Sequence, residues 1–295
     1  MKTDRFLLVA LLCLTAAFAS CRKDPPPQDD NSEVVNGLYD LDAAKAAAAD
    51  RDRAMEMPAK MKDTPELLLK REGYYVSYNK GRRLPNWVAW RLTADHTSGH
   101  YYRDGQLFME DRDVPSPRAT DADYVGSGYD RGHLCPSGDC KWSEKAQRQS
   151  FLFTNVCPQS HDLNKGDWND LELQCRYWAR KWGHLYIVTG PIFYNGVKKT
   201  IGRNKVAVPD AFFKVLLADN SRAKAIGFVY PNKKGHKDMN EYLKSVDEIE
   251  ELTGIDFFPL LNDEVEQRVE AAGYDRMMRE WNVEKAVSYY NSRTK

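Results

Sequence analysis

The sequence carries no net charge: 43 Lys and Arg balance 43 Asp and Glu over 295 residues. That excludes a chain coated in positive charge, so any affinity for a polyanion has to come from a local groove. The charge is uneven, with net −4 over residues 22–69 and net +3 over residues 70–295. Long hydrophobic runs are lacking too. The apolar stretch Phe6 to Leu14 is too short for a bilayer, which needs about 20 residues. Cysteine is sparse, six in all. Cys135 and Cys140 have no C-x-x-C or H-x-x-H partner, so a zinc reading lacks its second pair of ligands. There is no internal repeat and no clear second-domain boundary. What is present, 42% hydrophobic residues, is enough for a packed core.

Residues 1–20 read as an export signal, with Lys2 and Arg5 ahead of the apolar run and small residues up to Ser20. Phe18-Ala19-Ser20-Cys21 resembles a bacterial lipobox, whose cysteine is lipidated; ordinary cleavage near Ala19 or Ser20 is the alternative. The expectation is an exported protein: a periplasmic or outer-membrane lipoprotein held to the membrane through Cys21, or a secreted one. Residues 21–66, with Pro25-Pro26-Pro27 and many Asp and Ala, read as a largely disordered tether, although Ala43 to Met61 has helical composition. Cys135, Cys140, Cys157 and Cys175 then remain, and in an exported protein disulfides are expected. Three pairings are open, with Cys135–Cys140 closing the shortest loop.

The folded domain is expected over residues 67–295. Tyr74 to Tyr78 and Trp87 to Leu92 read as paired strands around the Asn79-Lys80-Gly81 turn. Pro115 to Asp123 reads as a loop. Apolar residues at 168, 171, 175, 178 and 182 mark one face of a helix with Asp167 as its N-cap. Leu185 to Pro191, Ala211 to Ala218 and Ala223 to Tyr230 read as strands. Asn240 to Leu252, ending at Gly254, and Glu264 to Trp281 read as helices. This order fits an α+β fold with a central antiparallel sheet and flanking helices better than a βαβ series.

The chemistry concentrates in Gly126 to Leu134, which contains Asp130-Arg131-Gly132-His133, and in Phe151 to Glu172. The second stretch holds Thr154-Asn155-x-x-Pro158-Gln159, then Asn164-x-x-x-Trp168-x-x-Leu171-Glu172. A lone DRGH arises by chance, and a loop histidine is usually only solvated. Three motifs at these spacings are specific. Together they resemble the DNA/RNA non-specific endonuclease family, from roughly Tyr74 to Phe258. The resemblance implies a ββα-metal site, DNA and RNA as substrates, Mg²⁺ with Mn²⁺ able to substitute, and products with 5′-phosphate and 3′-hydroxyl ends.

His133 suits a general base, because an imidazole near its ordinary pKa is largely neutral at pH 7–8. Asn164 offers a hard, neutral oxygen to a metal. Glu172 follows eight residues later, about 12 Å along a continuous helix, so it is expected to reach the same ion only through water, as the family's glutamate does. The resemblance puts Asn155 in the metal shell or against phosphate. It makes Arg103, ahead of Phe108-x-x-Asp111, the stabiliser of the pentacovalent phosphate, with Arg118 as competitor. Arg131 either braces the loop or contacts phosphate, and Asp130 is expected to orient the loop and Arg131. Arg176, Tyr177, Arg180 and Lys181 read either as a groove border or as a solvated helix face. A homodimer is left open. The rival reading is a catalytically idle nucleic-acid-binding or scaffold lipoprotein of the same fold.

Overall fold

The computed structural model describes residues 55–220, 222–235 and 238–293. The export signal, Cys21 and the tether up to residue 54 lie outside the described residues. In chain order the strands are β1 (Leu67–Lys70), β2 (Tyr75–Asn79), β3 (Leu84–Thr93), β4 (Asp130–His133), β5 (Val156–Gln159), β6 (His184–Ile192), β7 (Thr200–Ile201), β8 (Val206–Ala207), β9 (Ala211–Ala218), β10 (Lys224–Pro231) and β11 (Leu243–Lys244). Seven of them form one antiparallel sheet in the order β1-β2-β3-β6-β9-β10-β11. The pairs β4–β5 and β7–β8 stand apart.

The sheet is covered on both faces. Along β9 every residue is buried, so the strand is apolar almost throughout rather than alternating with polar residues. Phe212 and Leu216 join one core, and Phe213, Val215 and Leu217 join the other, as the two-residue period of a strand requires. The first core is closed by the helix Asp167–Trp182, whose Trp168, Leu171, Cys175 and Trp178 are buried. The second is closed by the helices Val246–Thr253 and Asp263–Glu270, through Val246, Ile249 and Val269.

The long helix starts at the residue expected to cap it. Asp167 is its first residue, not its N-cap, and the Asp167 carboxylate accepts a hydrogen bond from the Tyr242 hydroxyl at 2.9 Å. The stretch from Asn240 does not form one helix. A 3₁₀ turn at Met239–Tyr242 and then β11 come first. The helix begins only where Ser245 and Glu248 form a capping box, and it ends at left-handed Gly254. The last expected helix is divided as well. Gly273 caps a new helix, Tyr274–Trp281, and a further one follows at Val283–Arg293. The loop before Asp123 contains the helical turn Asp121–Tyr124, boxed by Thr120 and Asp123.

Packing begins before residue 67. Met55 and Met61 lie against the second core, and the Ala59 N–H donates to the Asp256 carbonyl at 2.9 Å. Cys135, Cys140, Cys157 and Cys175 are all free and buried, which departs from the disulfide expectation. Cys135 and Cys140 come closest, with Sγ atoms 3.8 Å apart, contact distance rather than a bond.

Candidate active site

His133 ends β4, where the β4–β5 ladder pairs it with Val156. Gly132 pairs with Cys157, and a Cβ there would collide with the Gln159 side chain, so the close ladder requires glycine. The imidazole lies against Phe108 (ring centroids 5.1 Å apart) and edge-on to Phe151 (4.9 Å). The ring is partly accessible, but its Nε2 atom is enclosed and has no hydrogen-bond partner. Loss of water, and then the Arg103 charge, lower its pKa to about 3. The imidazole is therefore neutral throughout the physiological range.

Asn155 holds the chain just after His133. Its carbonyl Oδ1 accepts from Cys135 N–H at 2.9 Å, and its Nδ2 donates to the carbonyls of Cys135 and Ser150, both at 2.8 Å. Its main-chain oxygen accepts from Leu134 N–H at 2.9 Å. The residue is fully buried. Its side-chain polar atoms thus bond to the backbone of Cys135 and Ser150, and it holds the loop after His133. The Phe108-x-x-Asp111 motif has a similar task. Phe108 supplies a ring beside His133, while buried Asp111 accepts from Thr154 Oγ1 and Arg71 Nη2, each at 2.5 Å.

Asp130, at the other end of β4, turns to the following helical segment. It accepts from Asn164 Nδ2 at 2.9 Å and faces His161 Nδ1 at 3.0 Å. The expected pairing with Arg131 is not made; Arg131 Nε instead donates to Asp121 at 2.6 Å. A carboxylate only accepts, so it fixes which end of the Asn164 amide is nitrogen. The Asn164 carbonyl oxygen is the atom left to offer a cation. The short helix His161–Lys165 is broken from the long one at Gly166, where a Cβ would lie 2.7 Å from the Asp162 carbonyl. The continuous-helix spacing between Asn164 and Glu172 therefore does not apply.

Glu172 lies among cations. Desolvation raises its pKa to about 7, against the opposing charges of Lys214, Arg176 and Arg103. Lys214 is 1% exposed and lies 4.4 Å over the Trp168 ring and 5.3 Å over Trp90. Arg176, one turn after Glu172, donates to buried Asp139 at 2.8 Å, and Asp139 also accepts from Trp90 Nε1 at 3.1 Å. Arg176 therefore faces inward and leaves the solvated helix face to Tyr177, Arg180 and Lys181. The charge of Arg103 reaches both His133 and Glu172. Arg118 is occupied elsewhere, by Glu110 and the Val114 carbonyl. Lys214, Asp139 and His161 were not anticipated. Lys214 did leave a signal, as the one charge in the apolar strand Ala211–Ala218.

Residues 53–264 match the model of the family described as DNA/RNA non-specific endonuclease. The chain belongs to this family. A nuclease of Nostoc sp. is 33% identical over 227 residues, covering 72% of this chain and 81% of that protein. Human mitochondrial endonuclease G is 35% identical over 206 residues, covering 65% of this chain and 69% of its own. The mouse mitochondrial nuclease EXOG is 35% identical over 204 residues, 63% of this chain. The chain spans only 55% of the length of that relative. Among solved structures, EndoG in its complex with EndoGI superposes with a TM-score of 0.63 at 27% identity, covering 67% of this chain and 89% of that one. A DNA/RNA non-specific endonuclease fold thus carries His133, Asn164 and Glu172.

Proposed function

We propose that the chain is a metal-dependent endonuclease that hydrolyses phosphodiester bonds of DNA and RNA with little sequence preference. The observation that carries this reading is neutral His133 at the end of β4, packed against Phe108 and Phe151 and acted on by the same Arg103 charge that acts on Glu172. The His133 imidazole takes the proton of the attacking water. An arriving phosphodiester brings negative charge, which offsets the desolvation of the imidazole and strengthens it as a base. Arg103 faces the charge that develops on the phosphate. Asn155 holds the His133 loop, and Asp130 holds Asn164.

The donor set fits a hard divalent ion. Asn164 would hold Mg²⁺ or Mn²⁺ through its carbonyl oxygen, with Glu172 acting through water. When bound, the ion supplies electrophilic charge to the phosphate and the leaving oxygen. The test is incubation of supercoiled plasmid and of RNA with the protein in MgCl₂, with and without EDTA. Both polymers are expected to be degraded, and EDTA to stop it. No cleavage in either Mg²⁺ or Mn²⁺ would refute the reading. Export and anchoring through lipidated Cys21 are proposed separately: Cys21→Ser should move the protein from the membrane fraction to the soluble one.

A further inference from the structure

On the opposite face of the sheet, Asp247, Glu250 and Glu270 bring one carboxylate oxygen each within 4.8 Å of one another. Asp247 and Glu250 stand three residues apart on the helix Val246–Thr253. Glu270 is the last residue of the helix Asp263–Glu270, where the helix dipole is negative and favours a cation. The Glu250 carboxylate is held in place, since its Oε1 accepts from Phe257 N–H at 2.7 Å. Glu270 is 6% exposed, and its Oε1 is enclosed with no hydrogen-bond partner. A buried, unpartnered carboxyl oxygen is costly unless something arrives to meet it.

The surroundings worsen the cost. Burial and the acids Glu250, Glu266, Asp247 and Asp256 raise Glu270 to about 9, and burial with similar neighbours raises Glu250 to about 7. Among the described residues, no Lys or Arg forms an ion pair with any of these five. We infer that Asp247, Glu250 and Glu270 form a calcium site, separate from the active site, that ties the two helices together. All the donors are carboxylate oxygens, the ligands of a hard cation. Mg²⁺ keeps several waters in a strict octahedron, whereas Ca²⁺ accepts six to eight oxygens in flexible geometry, including bidentate carboxylates. Three carboxylates that can bind through one or both oxygens, with exposed Asp247 leaving one side open to water, suit the flexible shell of Ca²⁺.

The experiment is thermal unfolding of the full chain with and without CaCl₂, for the wild type and three variants. An ion that binds only the folded state raises Tm, here by about 5 °C or more at a concentration of about 100 times Kd. The shift is expected to persist in Asn164→Ala, which disables the active-site ligand. It should disappear in Glu270→Gln and in Asp247→Asn. Asp247 is exposed, so its variant tests the site even if Glu270→Gln folds poorly, and Asp247→Asn should cleave plasmid in Mg²⁺ at the wild-type rate. No Ca²⁺-dependent shift in the wild type would overturn the proposal and leave a cluster held by shared protons. A shift that survives in both carboxylate variants would overturn it as well, as would one abolished by Asn164→Ala.

Discussion

Glu172 and Glu270 lie on opposite sides of one sheet, and loss of water raises the pKa of both, to about 7 and about 9. Their neighbours differ in sign. Lys214, Arg176 and Arg103 act on Glu172, opposed by Asp139. The charges that act on Glu270, those of Glu250, Glu266, Asp247 and Asp256, are all acidic. Burial penalises the charged form of each, so the neighbours decide what the side chain can do. With cations near it, Glu172 is held as the anion more readily than Glu270. Glu270, with acids around it, needs a proton or a cation from outside.

The strongest way to break this contrast is to make the surroundings of Glu172 resemble those of Glu270. Lys214→Met removes the largest opposing charge while keeping the volume against Trp168 and Trp90. It is expected to be the most destabilising of these changes, because it strips Glu172 of its strongest opposing charge, measured by urea unfolding at pH 8. Adding Glu172→Gln should restore part of that loss, and the double-mutant cycle gives the coupling between the two. Strictly additive effects would show that Lys214 serves only to pack the tryptophans.

A smaller effect separates positioning from charge. Asn155→Ala leaves main-chain groups of Cys135 and Ser150 without their partner and should cost about 1–3 kcal/mol. Turnover should fall with the fold intact at low temperature, and metal affinity should stay unchanged. Weakened Mn²⁺ binding in Asn155→Ala would return Asn155 to the metal shell.

The sequence made some of this legible and hid the rest. His133, Asn164 and Glu172 stood out because each sits in a short motif, and the motifs together resemble one family. The helix Asp167–Trp182 was legible because five apolar residues repeat at helical spacing. The backbone partners of Asn155 were not legible, because a motif does not reveal which groups a buried amide meets. The partners of Asp130 lie 31 and 34 residues away, so no local pattern could name them. The helix expected from Glu264 to Trp281 kept its apolar residues but was split by Gly273, whose position outweighed the periodicity. Glu270 carries no mark in the sequence, because burial at a helix end depends on how the chain packs.

The smallest expected effect is on pH dependence. The folded-state pKa of His133, about 3, lies below its ordinary unfolded value, near 6.5. The unfolded chain therefore takes up a proton first. The contribution of neutral His133 is complete above about pH 6.5 and is lost progressively as pH falls towards 3. His133→Gln should flatten the fall in urea-unfolding free energy between these limits by up to one proton's slope. An unchanged slope would mean that the imidazole is not held neutral by burial.

The central claim is that His133 supplies the base while Asn164 holds the ion, and one paired measurement separates them. Mn²⁺ binding and single-turnover plasmid cleavage are followed together for the wild type, His133→Ala and Asn164→Ala. His133→Ala should bind Mn²⁺ as the wild type does and cleave at least about 10²-fold more slowly, the scale of a lost general base. Asn164→Ala should lose Mn²⁺ affinity. Near-normal cleavage by a folded His133→Ala protein, or unchanged Mn²⁺ affinity in Asn164→Ala, would contradict the account.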